Sequence, residues 1–506
     1  MTPTAPTTSH TGGTSDTSPA ELEHVLAAAE AAAGPYGDLP AADRARMLRA
    51  VADTMDAHAD ELVGLTDTET GLGSPRLPGE LKRTTIQLRM VADVLEEGSW
   101  VEAVIDTPDP DALPTPRPDL RRMLVPVGPT LVFAASNFPF AFSVVGGDTA
   151  SALAVGCPVV VKAHPGHPET SRRTADLVGK ALQGEGAPDG TFALVEGMDA
   201  GTSALTDPRV KAAAFTGSVA GGRALFDIAN TRPDPIPFYG ELGSLNPVFV
   251  TRGAVAARGQ DVVTGFAGSM TMGTGQFCTK PGLLLLPEGH GLDDALTEAF
   301  AGAAPVRMLN ERIHAGHHAT RAELAGRPGI RVLVDGEDGA GQEGIAAAPT
   351  LLTTTASALL EDSEALLTEC FGPTALVVEY ASGDELLAVA DALEGNLTAT
   401  VHGEDGESDE VAPLWRALRD RAGRLLWNGW PTGVAVTWAM QHGGPWPATT
   451  ASLHTSVGMT ATRRFLRPVA YQGTPEPLLP RALRDRNALG LPRRVNGTVT
   501  TEDVTP

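Results

Sequence analysis

The 506-residue sequence is longer than one typical domain, so we expect two or three domains with sizeable cores. Its net charge of −24 argues against nucleic acid as a partner, because phosphate binding requires a positive surface. The lack of any long uncharged apolar run argues against a membrane span. The three cysteines have neither the number nor the spacing of a disulfide framework or metal site, which predicts a reducing, cytoplasmic location.

The N-terminal region is predicted to be a tail followed by helices. The first 18 residues are rich in Ser, Thr, Gly and Pro, which is typical of a disordered tail. Residues 20–33 and 41–65 are alanine-rich and amphipathic, which predicts two long helices. Five prolines between residues 105 and 120 exclude a regular helix there, so this stretch is predicted to be extended.

From residue 128 onward, strands and helices alternate. The predicted strands are 130–135, 158–162, 191–196, 211–215 and 236–242, and the predicted helices are 146–154, 168–182 and 218–229. This alternation indicates an α/β fold with a doubly wound parallel sheet, which binds ligands at the carboxyl ends of its strands. A second alternating segment follows, with a helix at 262–272, strands at 282–286, 376–380, 398–402 and 424–427, and an extended stretch at 464–472.

Three residues have the chemistry that aldehyde oxidation requires. Cys278 lies in a glycine-bounded turn, where a thiol can attack a carbonyl. Glu241 follows an apolar strand and can activate water to hydrolyse the resulting thioester. Asn137 follows another strand and can donate to an oxyanion. The ordinary alternatives are a buried small cysteine, a strand-end carboxylate and a turn amide, and Cys157 and Cys370 fit the first of these better.

Other residues are suited to a dinucleotide. Gly217 and Ser218 form a turn between a strand and a helix that continues through Gly222, and such a helix N-terminus suits pyrophosphate. Lys162 ends a strand and can reach a ribose or a phosphate, although a solvated strand-end lysine is the common alternative. Lysine is scarce in this chain, which adds weight to one at such a position.

Five motifs in order resemble the aldehyde dehydrogenase superfamily over residues 20–475. They are Asn-Phe-Pro from residue 137, Phe-Thr-Gly-Ser ending at 218, Glu-Leu-Gly-x-x-Asn-Pro from 241, Gly-Gln-x-Cys ending at 278 and Glu-x-Phe-Gly-Pro from 369. The superfamily usually has Trp where this chain has Ser136, a departure found in some branches.

The resemblance implies a role for each matching residue. Cys278 would be the nucleophile, Glu241 the base, and Asn137 with the Cys278 backbone N–H the oxyanion hole. Glu369 would hold the nicotinamide ribose and Phe371 would pack by the ring. The predicted cofactor-binding residues are Ser136, Lys162, His164, Pro165, Gly217, Ser218, Gly222, Leu242, Gly243, Glu369 and Phe371. No metal is expected.

The predicted cofactor is NADP, with NAD as the alternative. Family members selective for NAD often carry Glu three residues after the strand-end lysine, where it holds the ribose 2′-hydroxyl. Here that position is Pro165, so nothing repels a 2′-phosphate, and Lys162 and His164 could favour it.

Three stretches, 427–434, 442–450 and 464–469, resemble an NADP-preferring branch that contains 2,5-dioxovalerate (α-ketoglutaric semialdehyde) and fatty aldehyde dehydrogenases. Residues 83–89 also resemble this branch and are predicted either to lie near the substrate entrance or to form a solvated helix. The prediction is therefore NAD(P)-dependent oxidation of an aliphatic aldehyde, with 2,5-dioxovalerate as one candidate. The alternatives are a CoA-acylating dehydrogenase, which generally lacks a residue like Glu241, and a catalytically silent structural or binding protein.

The resemblance also implies a domain organisation. Residues 1–18 would be a tail, 19–107 with 127–240 the dinucleotide-binding domain, and 241–455 the catalytic domain. Residues 108–126 and 456–475 would form an oligomerisation sheet, and 476–506 a C-terminal tail. Because such a sheet pairs edge strands between subunits, we expect a homodimer or homotetramer.

Overall fold

A computed structural model describes residues 16–300, 303–336 and 344–504. Most of the predicted tail 1–18 lies outside these residues. In the described part, no helix is both long enough and apolar enough to cross a membrane.

Four helices open the described chain, and they are α1 Pro19–Gly37, α2 Ala41–Ala57, α3 Ala59–Thr70 and α4 Arg76–Glu97. Ser18 caps α1 in a reciprocal capping box with Glu21. The prediction of one helix over residues 41–65 was wrong, because the chain breaks at His58, which ends α2 and begins α3. His58 keeps its N–H bonded to the end of α2, so the break leaves no buried donor unpaired.

The proline-rich stretch is flanked by two short strands, β1 Val104–Asp106 and β2 Leu120–Pro126. The first parallel sheet follows and has the order β5-β4-β3-β6-β7. Its strands are β3 Thr130–Phe133, β4 Val159–Lys162, β5 Phe192–Val195, β6 Ala212–Thr216 and β7 Phe238–Glu241. Its crossover helices are α5 Gly147–Ala154, α6 Pro168–Gly184, α7 Met198–Thr206 and α8 Val219–Thr231. This is the predicted doubly wound arrangement, and β4 is buried along its whole length, as its continuous apolar run indicates.

A second sheet has the order β11-β13-β14-β9-β8-β15-β16 and is parallel except for the β11–β13 pair. Its strands are β8 Val248–Val250, β9 Leu283–Pro287, β11 Arg331–Val334, β13 Thr350–Thr355, β14 Thr374–Tyr380, β15 Asn396–His402 and β16 Ala422–Trp427. Two short strands, β10 Val306–Arg307 and β12 Ala346–Ala347, pair separately. The helices of this region are α9 Arg252–Thr271, α10 Asp293–Phe300, α11 Glu311–Ala325, α12 Ala356–Glu361, α13 Ser363–Leu366, α14 Gly383–Ala392 and α15 Ser408–Arg419.

Helix α9 leads into the cysteine turn and begins earlier than the predicted residue 262. Thr251 caps its N-terminus by accepting from the N–H of Ala254. The prediction missed this first part because Arg258 leaves helical geometry, with φ −152°, and glycines at 253 and 259 weaken the local helical propensity.

The third sheet has the order β17-β2-β1-β18-β19, with β17 Leu466–Gln472, β18 Arg493–Val495 and β19 Thr498–Thr500. Strand β17 pairs antiparallel with β2 over its full length, which joins the two segments predicted to form one sheet. Residues 476–506, predicted as a tail, contribute β18, which pairs with β1 across nearly 400 residues of sequence, and β19 beside it. Among the described residues, β17 forms one edge of this sheet.

Candidate active site

The Cys278 thiol is presented by a tight turn after α9. Residues Gly273, Thr274 and Gly275 all have positive φ, between 57° and 65°, and reverse the chain within one turn. A side chain at Gly275 would place its Cβ 2.3 Å from the Gly372 carbonyl oxygen, so only glycine fits there. The resulting turn leaves Cys278 partly exposed, whereas Cys157 and Cys370 are buried.

The two central motifs are tied together by Asn246. Its Nδ2 donates to the Cys278 carbonyl at 2.8 Å and to the Lys280 carbonyl at 3.0 Å. The Lys280 ammonium is buried and donates to the carbonyls of Cys370 at 2.8 Å and Thr374 at 2.7 Å. The Asn-Pro end of the glutamate motif therefore holds the cysteine loop, and Lys280 links that loop to β14.

Glu241 ends β7, and a residue that the sequence interpretation missed connects it to Cys278. The His442 Nε2 atom is 2.8 Å from Glu241 Oε1 and 3.5 Å from Cys278 Sγ. Ser456 donates a short hydrogen bond to the second carboxylate oxygen. His442 and Glu241 are both buried. The His-Gly-Gly-Pro stretch was noted for its resemblance alone, and its histidine was the available signal.

The surroundings shift the pKa values of the Cys278 thiol and the Glu241 carboxyl in opposite directions. Burial raises the pKa of the Cys278 thiol well above its usual range, and the negative charges of Glu241 and Glu369 raise it further. Burial by itself would raise the pKa of Glu241, but His442, Ser456 and Cys278 outweigh burial and the pKa is lowered. The site therefore holds an ionised carboxylate beside a protonated thiol.

Asn137 follows β3 and is buried beside the cysteine loop. Its Nδ2 donates to the Gln276 carbonyl at 3.0 Å, two residues before Cys278. Arg76 donates a short hydrogen bond to the Asn137 carbonyl, and its guanidinium lies 4.7 Å from the centre of the Phe277 ring. The preceding Ser136 is partly buried. The amide is thus held next to the cysteine turn.

Two further guanidinium groups lie near the thiol. Arg83 sits 5.6 Å from the centre of the Phe142 ring, and that ring is 6.4 Å from the His442 ring. The Arg83 Nη1 and Arg424 Nε atoms are buried, and neither has a hydrogen-bond partner among the described residues. Burial lowers the pKa of both arginines, the Glu80 carboxylate acts in the opposite direction on Arg83, and the thiolate form of Cys278 would do so on both. Both cations thus have unused donors and lie within electrostatic range of the Cys278 thiol.

Three of the predicted cofactor residues lie at the carboxyl end of β4, which Lys162 ends and His164 and Pro165 follow. Lys162 is buried, and its Nζ lies 3.7 Å from Met198 Sδ, a weak acceptor. The His164 Nδ1 accepts from the Gly166 N–H at 3.0 Å, and burial lowers the pKa of His164 well below its usual range. This imidazole is therefore neutral and offers no cation. Pro165 is exposed beside it.

The glycine turn forms a helix N-terminus at the same sheet edge. Ser218 caps α8 by accepting from the Gly221 N–H at 3.3 Å, and Gly217 precedes it. A side chain at Gly222 would place its Cβ 2.1 Å from a methyl group of Leu242. The small residues therefore allow α8 to pack closely on the strand that ends at Glu241.

The remaining predicted cofactor residues lie in two loops, one after β7 of the first sheet and one before β14 of the second sheet. A side chain at Gly243 would place its Cβ 2.6 Å from Glu369 Oε2, so the glycine leaves room for this carboxylate. Burial raises the pKa of Glu369 to about 7. Phe371 lies two residues further on, partly buried, just before β14. The predicted site residues thus lie at the carboxyl edge of the first sheet and in the loops that face it.

A thiol, a carboxylate and an amide lie together at the carboxyl edge of a doubly wound sheet, where folds of this class bind their ligands. The aldehyde dehydrogenase family model matches residues 2–446. The chain is 45% identical to alpha-ketoglutaric semialdehyde dehydrogenase 2 of Azospirillum brasilense, covering 94% of this chain and 91% of that one. It is 42% identical to alpha-ketoglutaric semialdehyde dehydrogenase of Acinetobacter baylyi, covering 95% and 91%.

Solved structures agree on the fold. An NAD-dependent aldehyde dehydrogenase from Sinorhizobium meliloti superposes with a TM-score of 0.74 at 25% identity, covering 92% of this chain and 89% of that one. A 1-pyrroline-5-carboxylate dehydrogenase superposes with a TM-score of 0.75 at 22% identity, covering 89% and 85%. The chain belongs to the aldehyde dehydrogenase family, an oxidoreductase family that uses NAD(P). It is an aldehyde dehydrogenase, as the sequence predicted.

Proposed function

We propose that this enzyme oxidises 2,5-dioxovalerate to 2-oxoglutarate, with NADP preferred over NAD. The observation that carries the chemistry is the contact chain from Cys278 through His442 to Glu241, with separations of 3.5 Å and 2.8 Å. The choice of aldehyde is supported by the likeness to two alpha-ketoglutaric semialdehyde dehydrogenases at 45% and 42% identity.

In the first step, the Cys278 thiol gives its proton to the His442–Glu241 pair as the sulfur bonds to the aldehyde carbon. The carbonyl oxygen becomes an alkoxide, and the Asn137 amide and the Cys278 backbone N–H donate to it. The Asn137 amide nitrogen carries two hydrogens, so it can donate to the alkoxide while it keeps its hydrogen bond of 3.0 Å to the Gln276 carbonyl. When bound, the nicotinamide cofactor supplies the acceptor for the hydride that leaves the carbon.

In the second step, water hydrolyses the thioester on Cys278. The lowered pKa of Glu241 keeps this carboxylate ionised, so it can accept the proton of the attacking water, directly or through His442. The Ser456 hydroxyl bonds to the other carboxylate oxygen and fixes its orientation. The thiol is then regenerated and the acid departs. A base in this position favours water over CoA as the acyl acceptor.

The residues around the sheet edge fit a dinucleotide. The Lys162 ammonium at this edge makes no hydrogen bond to oxygen among the described residues, so it can pair with an anionic group of the cofactor. The α8 N-terminus with Gly217 and Ser218 would receive the pyrophosphate. Ser136 and Leu242 border the cofactor site, and Glu369 and Phe371 would hold the nicotinamide end.

The proposed preference for NADP rests on Lys162 and Pro165. An acid at residue 165 would accept from a ribose 2′-hydroxyl and repel a 2′-phosphate, and Pro165 provides neither effect. Lys162 offers a desolvated ammonium, because burial lowers its pKa and no oxygen accepts from it among the described residues. His164, being neutral, would act only as a hydrogen-bond partner.

Arg83 and Arg424 support an aldehyde that carries a carboxylate. Each has a buried guanidinium nitrogen without a partner among the described residues, and each interacts with Cys278 electrostatically. A buried cation with an unpaired donor is costly unless an anion completes it. The distal carboxylate of 2,5-dioxovalerate would supply that anion, whereas an alkyl aldehyde would not.

We also propose a homodimer or homotetramer. Strand β17 is an edge of the third sheet and pairs on its other side with β2. An uncovered edge strand exposes unpaired backbone groups, and pairing with a second subunit satisfies them. Light scattering at micromolar concentration would give at least the dimer mass, and a monomer would contradict this assembly.

The test of the proposed function is an aldehyde panel assayed with NADP and NAD at equal concentrations, with and without CoA. We expect the highest kcat/KM for 2,5-dioxovalerate with NADP, a lower value for pentanal of the same chain length, and no effect of CoA. A CoA-dependent rate would favour the acylating alternative. No turnover of any aldehyde, despite bound cofactor, would favour a catalytically silent structural or binding protein.

A further inference from the structure

The three side chains that meet at the thiol carry one sulfur, one nitrogen and one oxygen donor. Cys278 Sγ, His442 Nε2 and a Glu241 carboxylate oxygen all lie within 4.8 Å of one another. Thiolate, imidazole and carboxylate are the three ligand types that Zn²⁺ takes in proteins, and three protein ligands leave a fourth position open. Among the described residues, this is the one His/Cys/Asp/Glu group of this size with such spacing.

We propose that Cys278, His442 and Glu241 bind Zn²⁺ reversibly and that the bound ion blocks the thiol. The metal binding stands on the geometry, while the block rests on the proposed role of Cys278 as nucleophile. A tetrahedral ion with ordinary bond lengths separates its sulfur and nitrogen ligands by about 3.5 Å and its nitrogen and oxygen ligands by about 3.3 Å. The corresponding separations are 3.5 Å and 2.8 Å, so the sulfur and nitrogen already have the spacing of two ligands of one ion, and the carboxylate oxygen has to move away from the nitrogen by a fraction of an ångström.

Binding releases one proton and balances the local charge. Cys278 loses its thiol proton to solvent as the sulfur–zinc bond forms, and His442 binds through Nε2 with its proton on Nδ1. The thiolate and the Glu241 carboxylate then neutralise the two charges of the ion. Ser456 donates to the carboxylate oxygen that faces away from the His442 ring, which is the outer-shell support that metal-binding carboxylates usually have.

Access and competition decide how strongly the ion binds. Cys278 is partly exposed, which provides a path from solvent. Arg83 and Arg424 act electrostatically on the same thiol and oppose a dication. The ion would therefore be held less tightly than in a closed structural zinc site and could be removed by a chelator.

A pair of histidines on α11 competes for added metal ions in a titration, so its contribution has to be separated experimentally. His314 and His318 are one helical turn apart, with their Nε2 atoms 2.9 Å from each other. Two imidazoles without a thiolate form a weaker site. Cobalt distinguishes the two places, because only a thiolate ligand gives a sulfur-to-cobalt charge-transfer band in the near ultraviolet.

The experiment titrates the chelator-treated full chain with Co²⁺ and then with Zn²⁺ as competitor, and records the charge-transfer band. Wild type should give the band with one ion per chain. Cys278→Ala should lose it, and His442→Gln should weaken binding by at least about tenfold. The matched controls Cys157→Ala and His314→Gln should keep the band. Zn²⁺ should raise the melting temperature of wild type but not that of Cys278→Ala.

Aldehyde oxidation provides a separate readout. Zn²⁺ should inhibit the wild type, and EDTA should restore the rate. The absence of the band in wild type, its survival in Cys278→Ala or its loss in His314→Gln would overturn the proposal. A band in a chain that oxidises no aldehyde would count against the proposed function and support the metal site. Full activity without a band would support the proposed function and overturn the metal site.

Discussion

Replacing Glu241 by Gln tests the hydrolytic step directly, because the side chain is buried and both of its oxygens are held. Glu241 is 3% exposed, with His442 2.8 Å from one oxygen and Ser456 donating to the other. Gln has the same shape, and its amide oxygen can keep one of these contacts. The Ser456 hydroxyl can turn to accept from the new NH₂ group, so we expect the fold to lose only about 1 kcal/mol.

The kinetic effect is expected to be much larger than the effect on stability. Loss of a positioned general base slows its step by about 10²–10⁴-fold, which is about 2.7–5.4 kcal/mol of barrier. Attack on the aldehyde keeps His442 as acceptor of the thiol proton, and removal of the Glu241 charge lowers the pKa of that thiol, so attack and reduction of the cofactor should be affected much less than hydrolysis. The variant should therefore form the thioester on Cys278 and then accumulate it.

Stopped-flow absorbance of NADPH measures both phases. Glu241→Gln should give a burst that approaches one NADPH per active chain, followed by a slow steady rate. Glu379→Gln, a partly buried glutamate on β14 outside the site, is the matched control and should behave as wild type. A Glu241 variant without a burst, turning over within about threefold of wild type, would refute the role of this carboxylate.

Four further outcomes are expected. Cys278→Ala should abolish oxidation while Cys157→Ala retains most of it, and turnover by the first would contradict its role. Asn137→Ala should lower kcat by about 10²–10³-fold with cofactor affinity unchanged in a binding titration. Pro165→Glu should lower the NADP-to-NAD ratio of kcat/KM by about ten- to hundredfold, and an unchanged ratio would show that Pro165 does not set the cofactor preference. Because burial raises the pKa of Glu369 to about 7 from 4.5, its carboxylate increasingly destabilises the fold as pH rises through that window. The melting temperature of Glu369→Gln should therefore rise relative to that of wild type as the pH increases from 4.5 to about 7. A difference in melting temperature that does not change with pH would contradict this prediction.

The sequence by itself determined the features that depend on local physics. The apolar runs of β4 and β9 predicted strands, and both strands are present and buried throughout. The turn before Cys278 was marked by glycines, which the positive φ angles at Gly273 and Gly275 require. Ser218 marked the start of α8 through its side-chain cap. Each of these signals acts within a few residues, so it can be read without knowing the rest of the chain.

Only the tertiary structure decided how distant segments meet. His442 lies about 200 residues from Glu241 in sequence, and its place between that carboxylate and Cys278 follows from packing of the two parallel sheets. Lys280 lies just after the motif cysteine, but its donors go to carbonyls about 90 residues away, which makes it a structural link. The three-residue strand β18 carries too little pattern to be predicted, and it exists because β1 offers a pairing edge. Such contacts form between segments that are far apart in sequence, so no short stretch of sequence predicts them.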